Sequence, residues 1–411
     1  MFVNETLSPL KVEGRKLKSA ITNFFETVFK DNMTEQGQVS NISDGVIVMA
    51  FRSAIASYGY QIETHKVLTA DGYILKIHKV TSRVPDSFGI KRRIVLLHHG
   101  LFGCSMDWLL LGPKDSLPFI LLESGLEVWL ANSRGNQFSK EHISRSVSSA
   151  EFWDFTFHEI GVYDLRAILE YLYDTKSEHA DIVFLGYSLS GTSLLVLLSL
   201  LPEYNNMIKS AVLLAPLVFM NDIKGPLKDM SDVYHENYNS TMLIGRNQEE
   251  LLKEDESLKG ITEKYCKGNK VLLTNSLLCL KYGMTVMSRM DELLVNSTSG
   301  GSEKTLIHYF QMIQTKRFEM FDYGIENNSR AYGLSSPPEY PLNDVSVPLY
   351  IFTSTADTMS TRNDINKLKS FVPFINHTVL NKSDFSHPHF ILGRTAPELL
   401  YKNIAGIINY T

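Results

Sequence analysis

The stretch Asp181-Ile182-Val183-Phe184-Leu185-Gly186-Tyr187-Ser188-Leu189-Ser190-Gly191-Thr192 decides the reading of this chain. A short apolar run suited to a strand enters a turn of small residues, and the leucine-rich segment that follows suits a helix. A serine on such a strand-to-helix turn has its hydroxyl pushed clear of the sheet, where a histidine and an acid from later in the chain can activate it. The G-x-S-x-G pattern is met at Gly186 and Ser188 and broken at Ser190, which stands where the second glycine is expected. Serine is only one hydroxymethyl larger, so strand and helix can still approach closely. Alone, the pattern also fits an ordinary strand-helix junction, and its meaning depends on partners elsewhere.

Those partners occur in order. Arg93-Ile94-Val95-Leu96-Leu97-His98-His99-Gly100-Leu101-Phe102-Gly103 reads as a strand ending in a glycine loop. That form supplies a second backbone donor to an oxyanion hole, and we assign the two donors to the N–H groups of Leu101 and Leu189. A plain strand end is the alternative. Val347-Pro348-Leu349-Tyr350-Ile351-Phe352-Thr353-Ser354-Thr355-Ala356-Asp357 reads as another buried strand, delivering a carboxylate at its end. His387 follows in Asp384-Phe385-Ser386-His387-Pro388-His389-Phe390. The expected roles are Ser188 as nucleophile, His387 as general base and then acid, and Asp357 as the group that orients and stabilises the imidazole. Asp364 and Asp384 are rival acids and His389 a rival base; Asp364 falls at an expected helix start, where a carboxylate commonly serves as a first-turn charge. The chain order Ser, Asp, His is that of the α/β-hydrolases and differs from both serine-protease orders.

Further segments carry a family resemblance from about Tyr58 to the C-terminus. They are Gly59-Tyr60 with Glu63, Asp71-Gly72-Tyr73-Ile74-Leu75, His99-Gly100-Leu101, Val128-Trp129-Leu130-Ala131-Asn132-Ser133-Arg134-Gly135-Asn136, Glu151-Phe152-Trp153-Asp154-Phe155-Thr156-Phe157-His158-Glu159 and Tyr163-Asp164-Leu165. With these the chain resembles the acid lipases of the gastric and lysosomal type, insect members included. The Asn-Ser-Arg-Gly and Glu-Phe-Trp segments are more specific to that family than the serine motif. The resemblance implies an α/β-hydrolase fold, a cap over the serine, and hydrolysis of acylglycerols or sterol esters at a lipid-water interface without a cofactor. It supports Ser188, Asp357 and His387 position by position. Two departures stand out: the family usually has His-Ser-Gln-Gly where this chain has Tyr187-Ser188-Leu189-Ser190, and a glycine-rich approach to the acid is replaced by Thr353-Ser354-Thr355-Ala356. A short-chain carboxylesterase and a catalytically silent lipid-binding relative are the alternative readings.

Composition agrees with a globular enzyme. The 411 residues suffice for a core with an insertion, and 44% hydrophobic with 21% charged residues is ordinary for a packed domain. A net charge of −5 offers no basic face to nucleic acid. No run of about eighteen apolar residues predicts a transmembrane span, and no metal-ligand spacing is present.

Strands are expected at 94–98, 126–132, 182–186, 210–215, 349–354 and 377–380. With helices between most of them, they make an α/β architecture with a mostly parallel sheet covered on both faces. Residues 1–45 read as an atypical leader, 46–216 and 342–411 as the two parts of the core, and 217–341 as a helical cap or lid. Within the cap, helical patterns fall at 248–256, 270–282, 285–294 and 303–316. The apolar stretch from Val271 with Met284, Met287 and Met290 either lines an acyl pocket or is simply cap core.

The N-terminus lacks the charged and apolar regions of a signal peptide. Nine N-x-[ST] sequons, at Asn4, Asn32, Asn41, Asn239, Asn296, Asn327, Asn376, Asn381 and Asn409, nonetheless exceed the three or four that chance gives. They predict a secreted or lysosomal chain, with an asparagine-rich polar surface as the alternative. Cys266 and Cys279 lie in the cap, where the family carries a disulfide, but only one of the expected pair aligns, so a Cys266–Cys279 bridge is left open; Cys104 reads as a small buried residue.

Overall fold

The computed structural model describes residues 55–56, 58–82, 93–175, 181–237 and 300–410. Nine strands form one sheet. In chain order they are β1 (Tyr60–Leu68), β2 (Tyr73–Ser82), β3 (Ile94–His98), β4 (Glu127–Leu130), β5 (Glu141–His142), β6 (Ile182–Tyr187), β7 (Ile208–Leu214), β8 (Leu349–Ser354) and β9 (Ile375–Leu380). Their spatial order is β1-β2-β4-β3-β6-β7-β8-β9, with β5 paired to β2. Strands β4, β3, β6, β7, β8 and β9 run parallel, and β1 and β2 add an antiparallel hairpin on one side.

The central strands β3 and β6 are buried at every position and mostly apolar because both of their faces are covered. Alternate side chains enter two separate cores. Leu96, Phe184, Leu213 and Ile351 join the core beneath the helices α2 (Arg166–Asp174) and α3 (Leu189–Leu200). Leu97, Leu185, Val212 and Phe352 join the opposite core, which includes α1 (Leu117–Glu123) and α7 (Lys402–Tyr410). Helix α3 is apolar around most of its circumference and is buried along all but its last residue, as its sequence requires. Gly161 permits its approach to the preceding helical segment, since a methyl there would lie 2.6 Å from the Ser193 carbonyl oxygen.

Between β7 and β8 the described chain is helical: α4 (Pro226–Asn237), α5 (Glu303–Thr315) and α6 (Ile325–Tyr332). Helices α4 and α5 pack on one another, with the Tyr234 and Phe310 rings 5.3 Å apart. The expected helices at 248–256, 270–282 and 285–294, the apolar stretch from Val271, and Cys266 and Cys279 lie outside the described residues. The strands expected at 94–98 and 349–354 match β3 and β8, while β4 is shorter than expected and β7 and β9 begin two residues earlier.

The sheet places Gly100, Ser188, Asp357 and His387 in the loops that follow the carboxyl ends of parallel strands β3, β6, β8 and β9. Open α/β sheets gather their working groups at that edge.

Candidate active site

Ser188 connects β6 to α3 with φ 56° and ψ −115°, a backbone that a non-glycine residue adopts only when its surroundings enforce it. The Ser188 N–H donates to the Leu214 carbonyl at 2.9 Å, tying the turn to β7, and its own carbonyl accepts from Gly191 N–H at 3.0 Å. Space is tight around the turn. A methyl on Gly186 would lie 2.5 Å from Ser190 Oγ, and one on Gly191 would lie 2.6 Å from Pro216 Cβ. The serine at position 190 is accommodated because its hydroxyl rests over the bare Cα of Gly186; that buried hydroxyl has no hydrogen-bond partner among the described residues.

Oγ of Ser188 lies 2.9 Å from Nε2 of His387, and Nδ1 of His387 lies 2.8 Å from Oδ2 of Asp357. Since a carboxylate only accepts, Nδ1 carries the proton and Nε2 is left to accept from the serine. All three residues are buried. The other oxygen of Asp357 accepts from Met359 N–H at 2.8 Å and Ser360 N–H at 3.1 Å, which holds the carboxylate in place. Ser354 closes the turn that lacks the glycines, accepting from Ala356 N–H through its hydroxyl and from Asp357 N–H through its carbonyl.

The rival groups are engaged elsewhere. Asp364 is buried and accepts from both the backbone N–H and the side-chain amide of Asn221, as well as from the Thr361 hydroxyl, so it is more than a first-turn charge. Asp384 is exposed and paired with Lys382. His389 is hydrogen-bonded through Nδ1 to Ser386.

Leu101 and Leu189 line one cavity, together with His99, Phe102, Gly301 and Thr305. The Leu189 N–H belongs to the first turn of α3, whose unpaired donors favour negative charge. Gly100 sits against the elbow, where a methyl would lie 2.9 Å from the Tyr187 ring and 3.4 Å from Ser188 Cβ. The segment after β7 reaches this place, since a methyl on Gly301 would lie 2.7 Å from the Phe102 ring. Ser302 donates its hydroxyl to the Trp153 carbonyl at 2.6 Å.

Sequence reasoning assigned no role to Tyr187 or to the Asn-Ser-Arg-Gly segment. The Tyr187 hydroxyl donates to the His387 backbone carbonyl at 3.1 Å. Arg134 is fully buried, bridging Asp164 at 2.7 Å and, through both terminal nitrogens, Asp71 at 2.6 and 2.9 Å, with its guanidinium 4.0 Å from the centre of the Tyr73 ring. Burial pushes the Asp164 carboxyl up to about 6 despite the arginine, as expected when two carboxylates share one guanidinium. Cys104 is buried, as its sequence setting predicts.

A model for the partial α/β-hydrolase lipase region matches residues 51–112, and one for the α/β-hydrolase fold matches residues 93–393. Triacylglycerol lipase 1 of Arabidopsis thaliana is 30% identical, over 84% of this chain and 86% of that protein. This chain belongs to the α/β-hydrolase lipases. Among this hydrolase's relatives, lipase member M of Homo sapiens is 28% identical over 97% of this chain and 95% of its own. Gastric triacylglycerol lipase of Bos taurus is 27% identical over 86% of this chain and 89% of its own. The solved structure of lip1 from Acinetobacter baumannii AYE shares the fold of this hydrolase, with TM-score 0.51 at 16% identity over 92% of this chain and 99% of that one. No helix among the described residues is long and apolar enough to cross a membrane.

Proposed function

We propose that this α/β-hydrolase is a lipase that cleaves the ester bonds of neutral lipids, acylglycerols or sterol esters, with Ser188, His387 and Asp357 as its triad. The hydrogen-bonded series from Ser188 Oγ through the His387 ring to Asp357 carries this reading. His387 takes the Ser188 proton as Oγ attacks the ester carbonyl. The Leu101 and Leu189 N–H groups bind the oxyanion, and the alcohol leaves with the proton from Nε2. Water then repeats the sequence on the acyl-enzyme. Asp357 keeps Nε2 facing the serine and stabilises the imidazolium.

Residues 217–341 serve as the cap, a reading supported by the position of Gly301 and Thr305 beside the oxyanion loop. Partial occlusion of the serine suits action at a lipid-water interface. Asn376, Asn381 and Asn409 are exposed, which supports glycosylation in the secretory lumen and a secreted or lysosomal location.

The test is hydrolysis of p-nitrophenyl esters from acetate to palmitate, and of emulsified triacylglycerol and cholesteryl ester, by the protein and its Ser188→Ala variant. Long-chain hydrolysis that depends on Ser188 is expected. Activity confined to short chains identifies a carboxylesterase instead, and none on any ester overturns the catalytic reading.

A further inference from the structure

His98-His99-Gly100-Leu101 lies beside the triad, and the structure assigns His99 a function of its own: its Nδ1–H positions the Gly100–Leu101 peptide so that the Leu101 N–H faces the oxyanion. This rests on the assignment of Leu101 as an oxyanion donor. His99 Nε2 accepts from the Ser133 N–H at 3.1 Å and lies 3.2 Å from Asn136 Nδ2. The orientation of that amide is set independently, because Asn136 Oδ1 accepts from the Phe138 N–H at 3.0 Å and so the nitrogen end faces His99. Two donors directed at one ring nitrogen leave it unprotonated, and the proton therefore resides on Nδ1. From there it donates to the Gly100 carbonyl at 2.8 Å, and the Gly103 N–H donates to the same oxygen at 3.0 Å.

The Gly100 carbonyl and the Leu101 N–H are the two ends of one trans peptide, and they point in opposite directions. Holding the oxygen toward His99 and Gly103 turns the Leu101 N–H the other way, and Leu101 lines the same cavity as Leu189. Two donors on the carbonyl also polarise the amide and strengthen its N–H as a donor. The geometry requires glycine at 103, where a methyl would lie 2.9 Å from the Gly100 oxygen and 3.1 Å from His99 Nδ1. The acceptor side of His99 is equally fixed. Ser133 and Asn136 flank the buried Arg134, whose backbone N–H and guanidinium are both held by Asp164.

Two substitutions separate the donor from the acceptor. His99→Asn places an amide nitrogen near the Nδ1 position and has no reach to Ser133; His99→Gln reaches Ser133 and leaves the Gly100 carbonyl without its side-chain donor. The expected result is kcat within about threefold of the parent for His99→Asn and a fall on the order of 10²-fold for His99→Gln, the size of losing one oxyanion donor. KM should be unchanged in both, and affinity for a boronic acid transition-state analogue should fall in parallel with kcat. A role limited to anchoring the Ser133 loop predicts the reverse order of the two variants, and that order would overturn the proposal. Nitrogen NMR of the unmodified protein gives a second reading that does not depend on either variant folding: Nδ1-protonated neutral imidazole is expected for His99, and an Nε2-protonated ring or an imidazolium contradicts it. Ser188→Ala run in parallel keeps the two levels apart. Full activity there overturns the site itself, whereas dependence on Ser188 with the reverse order of variants overturns the role of His99 alone.

Discussion

Tyr187 and His387 are 200 residues apart in the chain and are joined by a hydrogen bond from the phenolic hydroxyl to the backbone carbonyl. The residue next to Ser188 thus holds the loop that carries His387. The ring also fills the space beside the bare Cα of Gly100, so one side chain braces the Ser188 turn, the His387 loop and the loop after β3. Tyr187→Phe keeps the ring and removes only the hydroxyl. With about 1 kcal/mol for the bond, kcat should fall roughly fivefold with little change in KM. Steady-state kinetics on a single ester checks this; an unchanged kcat would show that the loop is held without Tyr187.

Asp357→Asn tests the acid. The amide can still accept from Met359 and Ser360 through its oxygen, but it presents N–H to His387 and favours the wrong tautomer. A fall in kcat on the order of 10⁴-fold is expected, with the melting temperature nearly unchanged. Asp364→Asn should leave kcat within about twofold, because Asp364 is engaged with Asn221 and Thr361 away from the triad. The pair of rates decides which carboxylate serves His387.

Arg134→Met removes the cation that Asp71 and Asp164 share, leaving the fully buried Asp164 carboxylate without it. Breaking such a pair costs about 3–5 kcal/mol. Urea unfolding should show a loss of that order, and Arg134→Lys should recover only part of it, since an ammonium cannot reproduce the fork that meets both carboxylates. A loss below about 1 kcal/mol would mean that the network contributes little to stability.

Two buried groups bear on the pH dependence of stability in opposite directions. His308 is buried against the Phe157 ring, donates from Nε2 to the Glu319 carbonyl, and is pushed down to about 3 mainly by burial. Unfolded, it takes up a proton below about pH 6.5. The native state does not, so stability falls as the pH drops from about 6.5 toward 3. At pH 5 this single group costs about 2 kcal/mol relative to neutral pH. Asp164 acts in the other direction, because its raised value of about 6 lets the folded state bind a proton that the unfolded carboxyl binds only near pH 4. The Gln of His308→Gln can keep the donor to Glu319 and does not titrate, so the variant should lose less stability than the parent between pH 7 and pH 5. Parallel melting curves that stay the same distance apart at both values would contradict it.

The features of the fold and site legible in the sequence are those encoded by local pattern. Strands β3, β6 and β8 are short apolar runs with distinct ends, and each delivers a site residue at its carboxyl end, so Ser188 and Asp357 could be placed from strand periodicity. His387 followed from its order in the chain. The hairpin of β1 and β2 escaped strand assignment because β1 is mostly exposed and interleaves charged and polar residues with few apolar ones. The contacts of Tyr187 with His387, of His99 with Ser133 and of Asp364 with Asn221 were not legible, since each joins residues far apart in sequence through hydrogen bonds that leave no spacing signal. Arg134 was visible as part of a motif, but its two carboxylate partners come from different elements.

Covalent labelling of the reactive serine decides most directly whether Ser188 is the nucleophile, because its Oγ displaces fluoride from phosphorus to leave a stable phosphonyl ester. The protein is reacted with a long-chain alkyl fluorophosphonate, and the labelled peptide is identified by mass spectrometry while residual ester hydrolysis is followed. One label per chain is expected, on Ser188, with activity lost in proportion to labelling and no label in Ser188→Ala. A label on another residue, or hydrolysis that survives complete labelling of Ser188, would contradict it.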